Sequence, residues 1–174
     1  LDSNKEYMPN NFWIPDSILS VGGSIEGFTI PKVNGINLYS FLENKDIKPK
    51  DKLFYLKKIG EMLNQLSYIR KTTPLKDFYL NDLNVTNFIV NPSNCELSII
   101  DLDSAKIGTN AACPARLLTP KALLNNVKGK YNVNEDKDVL GHVIADENSD
   151  LYCYIMVILN YLYGSNLNTV AIEE

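Results

Sequence analysis

Residues 78–103 read FYLNDLNVTNFIVNPSNCELSIIDLD, a polar loop followed by the pattern of a β-hairpin. Two runs of apolar and β-branched residues, 88–90 and 97–100, flank an Asn-Pro-Ser-Asn turn. In an antiparallel hairpin the first residue of one strand lies beside the last residue of the other. The pattern therefore predicts that Asn87 and Asp101 are neighbours.

The loop before the hairpin adds a second carboxylate, Asp82, five residues before Asn87. Carboxylate and carboxamide oxygens suit Mg²⁺, which commonly takes one or two side-chain oxygens and leaves its other positions to water and phosphate. With Asn87 and Asp101 as metal ligands, Asp82 would act on a hydroxyl. Taken singly, Asp82 is typical of a turn and Asp101 of the end of a strand, so the prediction depends on their combined spacing.

This spacing resembles that of the protein-kinase-like family, whose catalytic loop reads His-Arg-Asp-x-x-x-x-Asn and whose Asp-Phe-Gly motif closes the following hairpin. The corresponding stretches, residues 80–87 and 101–103, are most similar to those of divergent bacterial eukaryotic-like Ser/Thr kinases. The resemblance implies ATP and Mg²⁺ as cofactors. It also implies catalytic roles for Asp82 and Asn84, and metal binding by Asn87 and Asp101.

Residues 29–38 are similar to the last strand of the kinase small lobe, the hinge and the start of the next helix. On this register Ile30 is the gatekeeper, the adenine bonds to the backbone of Pro31 and Val33, and Asn37 stands near the ribose. Proline has a carbonyl but no N–H, so Pro31 can only accept a hydrogen bond, and acceptor is the role that the register assigns to it.

The remaining patterns predict an α+β fold. Two apolar runs around Gly22 and Gly23 indicate an antiparallel strand pair within 17–31. Apolar residues at three- and four-residue steps predict a long amphipathic helix over 51–71. Residues 150–163 are apolar almost all round, so we expect a helix that is enclosed on every side.

The resemblance also implies how the chain is divided. Residues 1–33 would be a partial small lobe, made of its last strands and the hinge, and residues 34–174 a mainly helical, protein-kinase-like large lobe. Residues 113–121 are similar to the end of an activation segment. Asp150 stands where the family bonds its central helix to the catalytic-loop backbone, although an N-cap is an equally good reading of this residue.

The chain departs from the family in two respects. The residues before the hinge contain no Gly-x-Gly-x-x-Gly loop, no Val-Ala-x-Lys strand and no following helix with a glutamate. Leu80, Asn81 and Asn84 replace the family's His, Arg and Lys, and Asp103 replaces a glycine. We therefore expect either a fragment of a kinase or a degenerate protein. A Ser/Thr protein kinase, a pseudokinase or interaction module, and a small-molecule kinase all stay open.

Composition narrows the choice of partners. A formal charge of -4 argues against binding to nucleic acid or to an anionic membrane. The longest apolar stretch, about 13 residues, is too short to cross a bilayer. Cys95, Cys113 and Cys153 suggest neither a disulfide framework nor a metal motif, so we expect a cytoplasmic protein. Its partner would be a protein substrate or another protein.

Overall fold

The computed structural model describes residues 2–102, 104–108 and 146–163. These residues form a mixed α and β structure with small antiparallel sheets. The helices are α1 (Leu38–Glu43), α2 (Pro49–Thr72) and α3 (Glu147–Tyr163), and short 3-10 helices span Asp2–Tyr7 and Val85–Asn87. The strands are β1 (Ser17–Val21), β2 (Ser24–Thr29), β3 (Ile36–Asn37), β4 (Phe78–Tyr79), β5 (Phe88–Asn91), β6 (Glu96–Ile99) and β7 (Lys106–Ile107).

The predicted hairpin of residues 88–100 lies at the centre of the strand arrangement. β5 pairs with β6 on one side and with β3 on the other, while β1 pairs with β2 and β4 with β7. The N-terminal segment adds to the outer edge of β6. There the Trp13 N–H donates to the Ile99 carbonyl (3.0 Å), and the Ile99 N–H donates to the Asn11 carbonyl (2.9 Å). The hairpin is therefore held from both edges.

The predicted amphipathic helix is confirmed and is slightly longer than expected. α2 begins at Pro49, which is tolerated there because its missing N–H would have no partner within the first turn. The helix ends at Thr72, where the Thr73 N–H and hydroxyl both donate to the Ile69 carbonyl at 2.9 Å. Its buried face follows the predicted three- and four-residue steps through Tyr55, Leu56, Ile59, Met62 and Leu66.

The expectation that residues 150–163 form a helix enclosed on every side is wrong. Cys153, Met156 and Val157 are buried, but Leu151 and Ile155 are 49% and 45% exposed, because the described residues pack against only one side of α3. The helix also begins earlier, at Glu147. No helix within the described parts of the chain has both the length and the apolar character to cross a membrane.

The strand pair predicted within 17–31 is confirmed as the β1–β2 hairpin. Its apolar side chains are largely exposed, from 57% for Phe28 to 73% for Ile25. A two-stranded sheet of this kind has little hydrophobic burial of its own. The division into a small-lobe part, 1–33, and a large-lobe part, 34–174, stays a prediction.

Gly35 allows β3 to approach β5 closely. Its φ of +148° lies in a region that side chains rarely adopt, and an added Cβ would overlap the Val90 carbonyl oxygen and lie 2.7 Å from Ile89 Cγ2. We expect Gly35→Ala to lower the free energy of unfolding by about 2–4 kcal/mol through backbone strain and overpacking. Urea denaturation measures this change.

Gly27→Ala is the matched control for this substitution, because nothing lies within 4 Å of a Cβ placed on Gly27. Its effect on unfolding should stay within about 1 kcal/mol. Equal effects of the two substitutions would contradict the close approach of β3 to β5.

Candidate functional site

The hairpin brings Asn87 and Asp101 close together in the ladder, with the predicted register wrong by one residue. Phe88 pairs with Ile99, and the Ile100 N–H donates to the Asn87 carbonyl at 2.9 Å. Ile100 is therefore opposite Asn87, and Asp101 follows immediately as an exposed residue. The prediction assumed that the two ends of the hairpin were flush, whereas the pairing leaves Asp101 one residue beyond it.

Asp82 and Asn87 are in direct contact. The Asn87 side-chain Nδ2 donates to the Asp82 backbone carbonyl at 2.9 Å and to the Asp82 carboxylate oxygen Oδ2 at 3.3 Å. Asn87 is 7% exposed, and Asp82 is half-buried. The carboxamide therefore fixes both the backbone and the side chain of Asp82. Its Oδ1 is on the other side of the amide group and accepts from the Thr86 hydroxyl at 3.2 Å.

A buried carboxylate holds the start of the loop in place. Asp150 Oδ2 accepts from the Leu80 N–H at 3.0 Å, and Oδ1 accepts from the Asn81 N–H at 2.9 Å. Asp150 is only 2% exposed. Of the two roles that the sequence left open, the tether is the observed one. The start of α3 is instead capped by Asp146, whose Oδ1 accepts from the Ser149 N–H at 2.7 Å.

Burial sets the ionisation of Asp150. Loss of solvation raises the pKa of its carboxyl from an ordinary 3.8 to about 6, although the two backbone hydrogen bonds pull this pKa down. Burial likewise raises the pKa of the neighbouring Cys153 thiol to about 12, with smaller contributions from the charges of Asp150 and Asp82. Cys153 is therefore a neutral packing residue beneath the loop.

The loop backbone makes two tight local turns. Asn81 has a left-handed φ of 60°, which asparagine tolerates better than most residues, and its side-chain Nδ2 donates to the Ser104 carbonyl at 3.2 Å. The Asp82 N–H donates to the Leu80 carbonyl at 2.7 Å. Together with the tether from Asp150, these bonds define how the loop presents Asp82.

Asn84 and Asn37 both have structural contacts. Asn84 is buried and caps the 3-10 helix, because its Oδ1 accepts from the Thr86 N–H at 2.9 Å and also from the Thr86 hydroxyl. Asn37 caps α1 by accepting from the Tyr39 N–H at 2.9 Å, and its Nδ2 donates to the Thr86 carbonyl at 2.7 Å. Their predicted contacts, with the phosphoryl group and with the ribose, stay predictions.

The hinge-like residues occupy the irregular connector between β2 and β3. Ile30 is 39% exposed, and Pro31 and Val33 are half-buried. The connector is anchored at its end, where Ile36 pairs with Val90 in β5. The chain after the hinge-like residues is therefore attached to the strand that follows Asn87.

Arg70 is a structural residue that the sequence reasoning missed. Its guanidinium donates to the Phe78 carbonyl at 3.0 Å and to Glu147 Oε1 at 2.9 Å, and lies 5.0 Å from the centre of the Tyr79 ring. Hydrogen bonds from Ser67 and then from Arg70 lower the pKa of Glu147. Arg70 thus joins α2, β4 and α3 at the entry to the loop. Nothing in the sequence separates it from the adjacent Lys71.

The donor set is compatible with a hard cation. No three His, Cys, Asp or Glu side chains cluster as a metal site in residues 2–102, 104–108 and 146–163. The predicted pair, Asn87 and Asp101, instead offers one carboxamide and one carboxylate, which is the sparse protein coordination that Mg²⁺ commonly accepts. Asp103 and the activation-segment-like residues 113–121 lie outside the described residues.

The chain matches no model of a known protein family, and a search of curated proteins finds no match either.

Proposed function

We propose that the protein is a protein-kinase-like phosphotransferase that moves the γ-phosphoryl group of ATP to a Ser or Thr hydroxyl of a protein. The observation that carries this proposal is the loop of residues 80–87. Asp150 binds the backbone at its start, and Asn87 binds Asp82 at its centre. A half-buried carboxylate is thereby presented in a fixed position beside a second polar side chain. We infer that the site acts in the cytoplasm, where ATP is available.

Asp82 has the role of orienting the acceptor hydroxyl. Its carboxylate accepts the hydroxyl proton as the oxygen bonds to the γ-phosphorus, and ADP leaves with the electrons of the broken P–O bond. Asn87 restrains Asp82 through Nδ2 while its Oδ1 faces the other way. When bound, Mg²⁺ supplies charge neutralisation at the phosphates. Asn87 and Asp101 are the residues that would hold it.

The nucleotide base is assigned to the connector between β2 and β3. Pro31 offers a carbonyl acceptor and Val33 an N–H donor, which match the two complementary edges of adenine. Ile30 provides an exposed apolar side chain beside them. Asn37 links this connector to the loop through its bond to the Thr86 carbonyl.

Binding of Mg-ATP tests the metal assignment. We expect Asp101→Ala to weaken the affinity for Mg-ATP at least about 10-fold, because a ligand to the metal is lost. Titration calorimetry measures the affinity, and circular dichroism checks the fold. Asp77→Ala is the control, since Asp77 is an exposed carboxylate just before β4. Unchanged affinity in Asp101→Ala would remove Asp101 from the metal site.

A second candidate is a non-catalytic interaction module. Asn84 favours it, because this residue stands where the family has a lysine and its side chain is engaged in capping the 3-10 helix. A module of this kind would show no change in melting temperature with Mg-ATP and no transfer of labelled phosphate to a panel of protein acceptors. A melting shift of several degrees together with label transfer would eliminate it.

A further inference from the structure

A half-open cavity of about 250 Å³ lies between the N-terminal segment, α2 and β6. Trp13 lines it, and the indole Nε1 of Trp13 is buried without a hydrogen-bond partner among the described residues. Ser98, a hydroxyl residue that is only 7% exposed, lines the same cavity. A buried indole N–H without an acceptor costs free energy, so its persistence beside a cavity points to an acceptor supplied from outside the chain.

Donors and acceptors alternate around the cavity. Gln65 contributes a carboxamide, and Glu61 and Glu96 contribute carboxylates. Asn11 is fixed by its Nδ2 bond to the Leu97 carbonyl (3.2 Å), which leaves its Oδ1 as an acceptor. A hydroxyl group both donates and accepts, so a molecule with several hydroxyls can satisfy such a mixed set, whereas an apolar molecule cannot.

Charge excludes an anion from this cavity. Lys58 lines it, but so do Glu61 and Glu96, so the formal charge of the lining is negative. Lys58 is also drawn towards the Phe54 ring, 5.1 Å from its Nζ. The volume lies below the about 300–1,000 Å³ of pockets for drug-sized ligands, which restricts the occupant to a small molecule.

We propose that this cavity binds a small, uncharged, polyhydroxylated molecule of monosaccharide size. Trp13 donates its indole N–H to a hydroxyl oxygen, and the carboxamides and carboxylates along α2 and β6 take the other hydroxyls. No residue that lines the cavity belongs to the loop 80–87 or to the connector 30–37. The inference is therefore independent of phosphoryl transfer.

The protein carries its own probe for this test, because Trp13 is the only tryptophan in the chain. Titration with D-glucose, D-galactose and myo-inositol should change its fluorescence in a saturable way, with a Kd of about 10 mM or lower for at least one of them. Inorganic phosphate should cause no saturable change. Glucosamine tests whether the acidic lining also accepts an ammonium group in place of a hydroxyl.

Two adjacent positions on α2 provide matched variants. Gln65 lines the cavity, whereas Asn64 carries the same carboxamide and lines only the neighbouring open groove. Both are exposed helical residues, so alanine should preserve the fold at either position. We expect Gln65→Ala to weaken polyol binding about 10-fold, and Asn64→Ala to leave it unchanged. Trp13→Phe, followed by calorimetry, should weaken it similarly because the donor is removed.

Three results would overturn the proposal. One is the lack of saturable binding by any of the polyols up to about 100 mM, which would leave the cavity to water. Another is saturation by phosphate alone. The last is an equal loss of affinity in Gln65→Ala and Asn64→Ala, since the matched control would then show that binding lies outside the cavity.

Discussion

Asp82→Asn is expected to lower the rate of phosphoryl transfer by about 10²–10⁴-fold, the usual contribution of a positioned general base. An amide keeps the shape of the carboxylate but cannot take the proton of the acceptor hydroxyl. Asn87 still reaches the backbone carbonyl of residue 82, at 2.9 Å in the parent protein, so the loop should keep its conformation. The affinity for Mg-ATP should therefore stay unchanged, as calorimetry can show.

Steady-state transfer of labelled phosphate to a protein acceptor measures this effect. It should appear in kcat, with little change in KM for ATP, because the lost interaction belongs to the transition state. Asp77→Asn makes the same chemical change at an exposed position and should leave kcat unaltered. If Asp82→Asn retained the parental kcat, the catalytic assignment of Asp82 would be abandoned.

Asp150→Ala is expected to reduce the free energy of unfolding by about 2–4 kcal/mol at neutral pH. The substitution leaves the N–H groups of Leu80 and Asn81 without acceptors, and each unsatisfied buried group costs about 1–3 kcal/mol. Both residues are almost fully buried, at 3% and 2% exposed, so water cannot easily replace the carboxylate. The loop that carries Asp82 should loosen, and transfer activity should fall as well.

The size of this loss should depend on pH. Because the pKa of Asp150 is raised to about 6 in the folded protein, the folded state binds the proton more strongly than the unfolded chain does. The contribution of Asp150 to stability is therefore greatest at low pH and declines as the pH rises through about 6. The destabilisation by Asp150→Ala should be about 2 kcal/mol larger at pH ~4.5 than at pH ~7.5.

Denaturant unfolding of the parent and the variant at both pH values measures this difference. Asp77→Ala, at an exposed position, should change stability by no more than about 0.5 kcal/mol at pH ~7.5. A destabilisation by Asp150→Ala that is equal at the two pH values, or larger at the higher one, would show that the carboxyl does not take up its proton more readily on folding.

Much of the local structure was predictable because it depends on neighbours in the chain. The three- and four-residue period from Leu53 to Ile69 is sufficient to define α2. The β-branched runs on either side of an Asn/Pro/Ser turn similarly identify the β5–β6 hairpin. The error of one residue in its register has a plain cause, since the turn composition indicates that the chain reverses but not which pairs of residues face each other.

The polar contacts of the site were less predictable. Asn84 and Asn37 were assigned to ligand contacts from their positions, whereas in the structure both cap helices and meet at Thr86. The capping role of asparagine is a local property that could have been read from the sequence. The contact between Asn37 and Thr86 could not, because it joins residues 49 positions apart.

The sequence by itself determined α2, the two hairpins and the five-residue spacing that brings Asp82 and Asn87 together, since each of these follows from interactions within a few residues. Only the tertiary structure decided that Asp150 tethers the loop, that Arg70 joins α2 to α3, and that one face of α3 stays exposed. These outcomes depend on which surfaces pack together. Packing places the Asp150 carboxylate against a backbone 70 residues earlier in the chain, and the resulting loss of water is what raises its pKa.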